Sequence, residues 1–219
     1  IKCFVFISQV GTIKFKMSAY LTLINHLYQL HIIQSPTILN AFNHVCRSLF
    51  VPKDQLDHIG EDRPISIGFG QTNSQPRTVA LMLEWLMPKE DQTILDIGSG
   101  SGWTTALLAS IVGKNGRVIG LERVPDLVSF GQVNLNKLSF THASIQLASS
   151  SLGIPNQTFD RILVSATADS FPDDLIKQLN PNGILVIPVE NDIIRVKKCD
   201  DGTLLRDTYS GFRFVPLIF

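Results

Sequence analysis

The sequence predicts an α/β fold: a doubly wound, mostly parallel sheet with an antiparallel C-terminal edge and an N-terminal helical cap. Three observations lead there. From Thr93 onward, short continuous Ile/Leu/Val runs alternate with helical patterns, which is how strands buried on both faces read. A glycine-rich loop, Gly98-Ser99-Gly100-Ser101-Gly102, joins the first of those runs to the first of those helices. Before Pro88, by contrast, the apolar residues recur at helical spacing.

In order along the chain, Leu21, Ile24, Leu27 and Leu30 fall on one face of a first helix. Ser35-Pro36 reads as an N-cap followed by a first-turn proline, with Ile38, Phe42, Val45 and Leu49 forming the next apolar stripe. Val51 to Gln75 is a long, polar, glycine-containing segment; loops of that length in compact domains are usually functional or disordered, and this one contains apolar anchors. Ser74 reads as the cap of a third helix running to Met87. The alternating region then gives strand Thr93–Ile97, helix Gly102–Val112, strand Arg117–Leu121 and helix Pro125–Leu138. Strands Ser144–Leu147 and Asp160–Ser165, helix Pro172–Leu179 and strand Ile184–Val189 follow. At the end, Asp192–Lys198 and Thr203–Tyr209 flank Asp201-Gly202, a type I′ hairpin signal, and Phe212–Leu217 reads as one more strand. Arg195, Lys197 and Lys198 belong to the hairpin's solvated face.

Met17-Ser18 reads as a natural start, which makes residues 1–16 an N-terminal extension. Residues 17–90 then form a helical and substrate-loop region, continuous as one domain with a core at 91–219. Composition narrows the function. In 219 residues, 19 Lys+Arg balance 19 Asp+Glu, so the chain lacks the basic footprint of a nucleic-acid binder. Apolar residues at 44% exclude disorder, and no apolar run reaches the length of a membrane span. Cys3–Ile7 is short for a signal-peptide core. Three scattered cysteines, Cys3, Cys46 and Cys199, point to a reducing, cytoplasmic setting and to no metal site. His26, His31, His44, His58 and His142 form no dyad or metal set.

The glycine loop carries the chemistry. At a strand-to-helix junction its glycines let a ligand approach the backbone at the helix's positive end. A dinucleotide fingerprint wants its third glycine at 103, which is Trp103, and that disfavours a nicotinamide enzyme. Asp96, just ahead of the loop, would repel a pyrophosphate by about 1 to 4 kcal/mol at about 4 Å. It would attract a cationic amino-acid moiety, and S-adenosylmethionine carries both an ammonium and a sulfonium. Glu122, ending the second strand, stands where an acidic side chain accepts both ribose hydroxyls.

These motifs sit beside longer ones: Arg63 to Pro76 (RPISIGFGQTNSQP), Asp96 to Trp103 (DIGSGSGW), Phe159 to Ala166 (FDRILVSA), Gln178 to Val189 (QLNPNGILVIPV) and Arg213 to Leu217 (RFVPL). Together they resemble the protein-L-isoaspartate O-methyltransferases over nearly the whole chain, the GQTxSQP element being the specific part. The resemblance implies a Rossmann-like methyltransferase core and S-adenosylmethionine-dependent methylation of the free carboxylate of L-isoaspartyl residues in damaged peptides and proteins. It implies Ser74 as the active-site serine. It also implies cofactor contacts at Gln71, Thr72, Asp96, Gly98, Ser99, Gly100, Gly102 and Glu122, with Ser149 and Ser150 near the adenine. Where the family usually reads Gly-Asp-Gly, this chain reads Ala148-Ser149-Ser150, which predicts weaker cofactor affinity. Arg77, Phe214 and Val215 are candidate substrate contacts, and a monomer is expected. Two alternatives compete: methylation of a different carboxylate, and a non-catalytic binding module of the same fold.

Overall fold

The structure is a computed structural model and describes residues 10–218, with side chains from Met17 onward. Cys3 and the first nine residues of the extension expected at 1–16 lie outside the described residues. The first helix, α1, runs Val10–Gln29, and α2 runs Pro36–His44. Pro36 takes the first helical position, as expected, but the Ser35 hydroxyl does not cap its own helix. It donates instead to Glu84 Oε2 at 2.6 Å, while Glu84 Oε1 accepts the N–H groups of Gln34 and Ser35 at 2.8 Å each. A carboxylate from the third helix, α3 (Pro76–Leu86), thus fixes the entry to the second.

Five parallel strands make the core: β3 (Thr93–Ile97), β4 (Arg117–Glu122), β5 (Ala143–Leu147), β6 (Phe159–Val164) and β7 (Leu179–Val189). Two antiparallel strands, β8 (Asp192–Lys198) and β9 (Leu204–Ser210), extend one side, and the spatial order is β5-β4-β3-β6-β7-β8-β9. The order reverses at β3, with Asp96 opposite Gly120 of β4 on one side and Leu163 of β6 on the other. In such sheets the crevice at the carboxyl ends of the strands is where ligands bind.

Period-two alternation divides the apolar side chains between two layers. Ile94, Val118, Leu163 and Val186 share a cluster with α1, α2, α3, α4 (Trp103–Val112) and α5 (Pro125–Asn136). Leu95, Ile119, Ile162 and Leu185 fill the second cluster on the other face. Less helix covers that second face than expected: α6 spans Asp174–Lys177 alone, against the helix anticipated at Pro172–Leu179. The reason is pairing, since Leu179 lies opposite Phe159 and is drawn into β7.

Two further expectations change. The hairpin tip is a three-residue loop rather than a type I′ turn. Gly202 N–H donates to Cys199 O at 3.0 Å, Cys199 N–H donates to Thr203 O at 2.8 Å, and of the loop residues Gly202 alone takes a left-handed φ, 84°. Phe212–Leu217 is not a strand. Thr167 receives it through single bonds to Val215 O (2.9 Å) and from Leu217 N–H (2.7 Å), while Pro216 between them has no donor.

The N-terminal helices join the sheet through aromatic packing. Trp103, 2% exposed, meets Phe42 edge to face at 5.7 Å and donates its indole N–H to Val45 O at 3.3 Å. The residue that spoils a dinucleotide fingerprint is therefore what anchors the helical cap.

Candidate active site

The long polar segment before α3 contains a small hairpin, β1 (Ile65–Gly68) with β2 (Gln71–Asn73). Its turn Gly68-Phe69-Gly70 has φ values of 88°, 55° and 70°, a run of left-handed residues for which glycine at two of three positions is the low-cost solution. After β2, Ser74 and Gln75 lead into α3. Pro76 occupies the first helical position, so Gln75 and not Ser74 is the cap residue. The carboxylate of Asp62 supplies the missing acceptor, taking the N–H of Arg77 at 2.9 Å. Ser74 is thereby relieved of the capping role expected of it, and it lines a cleft.

That cleft lies between the hairpin's end and the carboxyl ends of β3 and β4. Gln71, Thr72, Asn73 and Ser74 form one wall, and Gly98, Ser99, Gly100 and Ser101 form the floor. Glu122, Arg123, Ala148, Ser165 and the tail from Val215 to Ile218 complete it. Gly102 closes the loop at φ 87°, a conformation that favours glycine, and a Cβ there would also stand 3.1 Å from Gly131 O.

Glu122 is 7% exposed. Its Oε2 accepts Gly100 N–H at 2.8 Å, and Oε1 accepts the N–H groups of Arg123 and Val124 at 2.7 and 2.9 Å. A carboxylate offers about four acceptor positions. Three are filled, so one remains for a ribose hydroxyl, not the two expected from sequence.

Asp96 does not line the cleft; it stands behind the loop, fully buried. Its Oδ2 accepts the hydroxyls of Thr104 and Thr105, both at 2.7 Å, while Oδ1 has no partner. Burial pushes its carboxyl up to about 6, opposed by the two threonine hydrogen bonds and reinforced by the charge of Glu122. Ser99 Oγ is likewise buried and unpartnered. With the Asp96 carboxyl behind the loop and an open acceptor on Glu122, the site suits a cationic, hydroxyl-bearing ligand such as S-adenosylmethionine.

Other expected residues fall elsewhere. Ser149 and Ser150 are not brought to the cleft: Ser149 Oγ serves a local turn, accepting Ser151 N–H at 3.2 Å, and Ser150 borders a separate cavity. Ala148 is the residue of that triplet that reaches the site. Arg77 is exposed and outside the cleft, and Phe214 packs against the first core cluster while Val215 lines the site.

Arg47 was not foreseen. It is fully buried, and its Nε donates to Asn73 Oδ1 at 2.7 Å. Nη2 donates to the carbonyls of Asn73 (3.1 Å), Ser74 (2.9 Å) and Arg63 (2.8 Å), and Nη1 to Glu61 O at 3.0 Å. Its guanidinium also sits 5.4 Å from the Trp103 ring. Burial lowers its pKa to about 10, leaving it charged at neutral pH. The available signal was a lone arginine in the apolar run Val45 to Val51.

Set against known proteins, residues 19–218 match the family model for protein-L-isoaspartate(D-aspartate) O-methyltransferase. A relative from Methanopyrus kandleri, named protein-L-isoaspartate O-methyltransferase, is 39% identical over 202 residues, covering 90% of this chain and 89% of its own. The chain belongs to the protein-L-isoaspartate O-methyltransferase family. A relative of the same name from Trichlorobacter lovleyi is 41% identical over 191 residues, covering 85% of this chain and 87% of its own. The crystal structure of a Plasmodium falciparum protein-L-isoaspartate O-methyltransferase, in complex with S-adenosyl-L-homocysteine, superposes with a TM-score of 0.81. It is 29% identical and covers 91% of this chain and 98% of its own. Family membership makes the chain an enzyme of methyl transfer and confirms the Rossmann-like α/β class, including its antiparallel C-terminal strands. Among the described residues no helix is long and apolar enough to cross a membrane.

Proposed function

We propose that this cleft is where the enzyme, using S-adenosylmethionine, methylates the free α-carboxylate of L-isoaspartyl residues in damaged peptides and proteins. The observation that carries the assignment is that Ser74 and Glu122, from opposite ends of the site, line one cleft across the glycine loop. Glu122 has one acceptor left for a ribose hydroxyl. Gly98 and Gly100 keep the floor free of side-chain bulk, Gly102 lies outside the lining, and Gln71 and Thr72 form the wall. Asp96 supplies negative charge from behind, and a nearby ammonium or sulfonium would favour its ionised form over the neutral one that burial promotes.

When bound, S-adenosylmethionine supplies an electrophilic methyl carbon, whose bond to sulfur breaks with its pair passing to sulfur as the carboxylate oxygen bonds to carbon. An α-carboxyl ionises near pH 3.5 and is already a nucleophile at neutral pH, so no general base is needed. The protein's task is placement. Ser74 donates its hydroxyl to one carboxylate oxygen and leaves the other facing the methyl group. Val215 borders the acceptor side, and Arg77 and Phe214 lie further out.

This reading takes residues 17–90 and 91–219 as one continuous domain, supported by a hydrophobic cluster that joins Tyr20, Phe42 and Phe50 to Trp103 and Val118. It takes the enzyme to be a monomer in the cytoplasm, working on peptide and protein substrates. The test is methyl transfer to an isoaspartyl peptide and to its normal aspartyl twin. Transfer confined to the isoaspartyl form is expected; equal transfer to both would reject the repair role in favour of broader carboxylate methylation.

A further inference from the structure

We infer that Asn73 and Ser101 form a positioning bridge that sets the substrate wall against the methyl-donor floor. The inference rests on the functional reading above and adds to it the pair of residues that fixes the distance between the two reactants. Asn73 is 3% exposed and Ser101 2% exposed. Asn73 Nδ2 donates to Ser101 Oγ at 3.2 Å, a side-chain bond from the segment carrying Ser74 to the loop that floors the cleft. Both ends are braced. On one side Asn73 Oδ1 accepts Arg47 Nε, and the same guanidinium holds the carbonyls of Asn73 and Ser74. On the other, Asn134 Nδ2 of α5 donates to Ser101 O at 3.2 Å, and Asn134 Oδ1 accepts Lys137 Nζ at 2.7 Å.

A chain from Arg47 through Asn73 and Ser101 to Asn134 therefore passes along the wall and floor of the cleft, joining the N-terminal cap, the hairpin, the glycine loop and α5. Asn73 suits the join because its amide accepts on one side and donates on the other, so two buried groups are satisfied by one side chain. In-line transfer from a methyl group to an oxygen is sensitive to placement, and a shift of about 1 Å can cost about 100-fold in rate. The bridge acts on the rate of transfer once both ligands are bound, and not on cofactor binding.

The test is a double-mutant cycle with Asn73→Ala, Ser101→Ala and the double variant, assayed on an isoaspartyl peptide. Each single variant should lower kcat by about 10- to 100-fold, while the KM for S-adenosylmethionine and the Kd for S-adenosylhomocysteine stay within about threefold. The double variant should be no slower than the worse single, because both remove the same bond. Losses that multiply, a folded single variant with unchanged kcat, or a loss appearing in Kd would each overturn the inference. Should Asn73→Ala not fold, Ser101→Ala, which leaves the Arg47–Asn73 bond in place, carries the same demand on kcat alone. Wild-type enzyme in the same assay separates the two levels. If it is inactive, the functional reading falls and takes this inference with it; if it is active and the variants are indifferent, this inference alone falls.

Discussion

Glu122 Oε2 accepts the backbone N–H of Gly100 at 2.8 Å, so the carboxylate at the end of β4 holds the loop that leaves β3. With Arg123 and Val124 bound to its other oxygen, the same side chain shapes the floor and keeps one acceptor position for a ligand. The proposed binding role thus falls on a residue that also holds the loop.

Glu122→Gln should expose that joining. The amide brings a donor to face backbone donors, so at least one N–H loses its partner, at about 1–3 kcal/mol. Titration calorimetry with S-adenosylhomocysteine should show a Kd raised at least about tenfold. Unchanged affinity would remove Glu122 from the binding site.

Ser74→Ala removes a hydroxyl that, with capping done by Asp62, has no intramolecular hydrogen bond among the described residues. Folding stability should therefore change by less than about 0.5 kcal/mol. Losing a hydrogen bond to a charged carboxylate is worth about 1.5–3 kcal/mol, or about 10- to 150-fold in kcat/KM for an isoaspartyl peptide. A variant with normal activity would deny Ser74 its place at the carboxylate.

Asp96 predicts a pH dependence. Its carboxyl, raised from 3.8 to about 6 chiefly by burial, keeps its proton in the folded chain at pH values where the unfolded chain has lost it. Between about pH 4 and 6 this group therefore lowers stability as pH rises, by about 3 kcal/mol in total, and adds no further change above that range. Ligand-free Asp96→Asn should gain on wild type in chemical denaturation at pH 7.5 and lose most of that gain by pH 4. An equal difference at both pH values would contradict the assignment.

Arg47→Met leaves the oxygens of Glu61, Arg63, Asn73 and Ser74 without their donor. Each buried oxygen left unpaired costs about 1–3 kcal/mol, so the loss should reach at least about 3 kcal/mol, a fall in Tm of about 6 °C or more in a chain of this size. Arg47→Lys should recover only part of it, because an ammonium cannot reach so many acceptors in a planar fork. A melting temperature unchanged in Arg47→Met would show that the clamp contributes nothing.

Much of this was readable before the fold was known. β3, β4 and the later half of β7 announce themselves as β-branched runs because strands buried on both faces leave no room for polar alternation. The glycine loop is readable because its backbone φ values demand glycine. Where sequence reasoning stopped, the missing information was three-dimensional. The β1–β2 hairpin lay hidden in a segment taken as loop, although Ile65-Ser66-Ile67-Gly68 alternates with period two. The helix expected to Leu179 was shortened by pairing with Phe159, a partner 20 positions away that no local propensity reports. Ser74 is the exception, because Pro76 at the first helical position already puts the cap at Gln75 in the sequence itself. Asp96 could be placed ahead of the loop but not behind it, since the threonines that claim its Oδ2 come from the next helix.

The most direct measurement is the position of the incoming methyl group. An isoaspartyl peptide that also contains a glutamate and a free C-terminus is incubated with the enzyme and S-adenosylmethionine bearing a deuterated methyl, and the product is mapped by tandem mass spectrometry. The account predicts the label on the α-carboxyl of the isoaspartyl residue and nowhere else. Label on the glutamate or the C-terminus, or neither label nor a succinimide at the isoaspartyl residue, would contradict it.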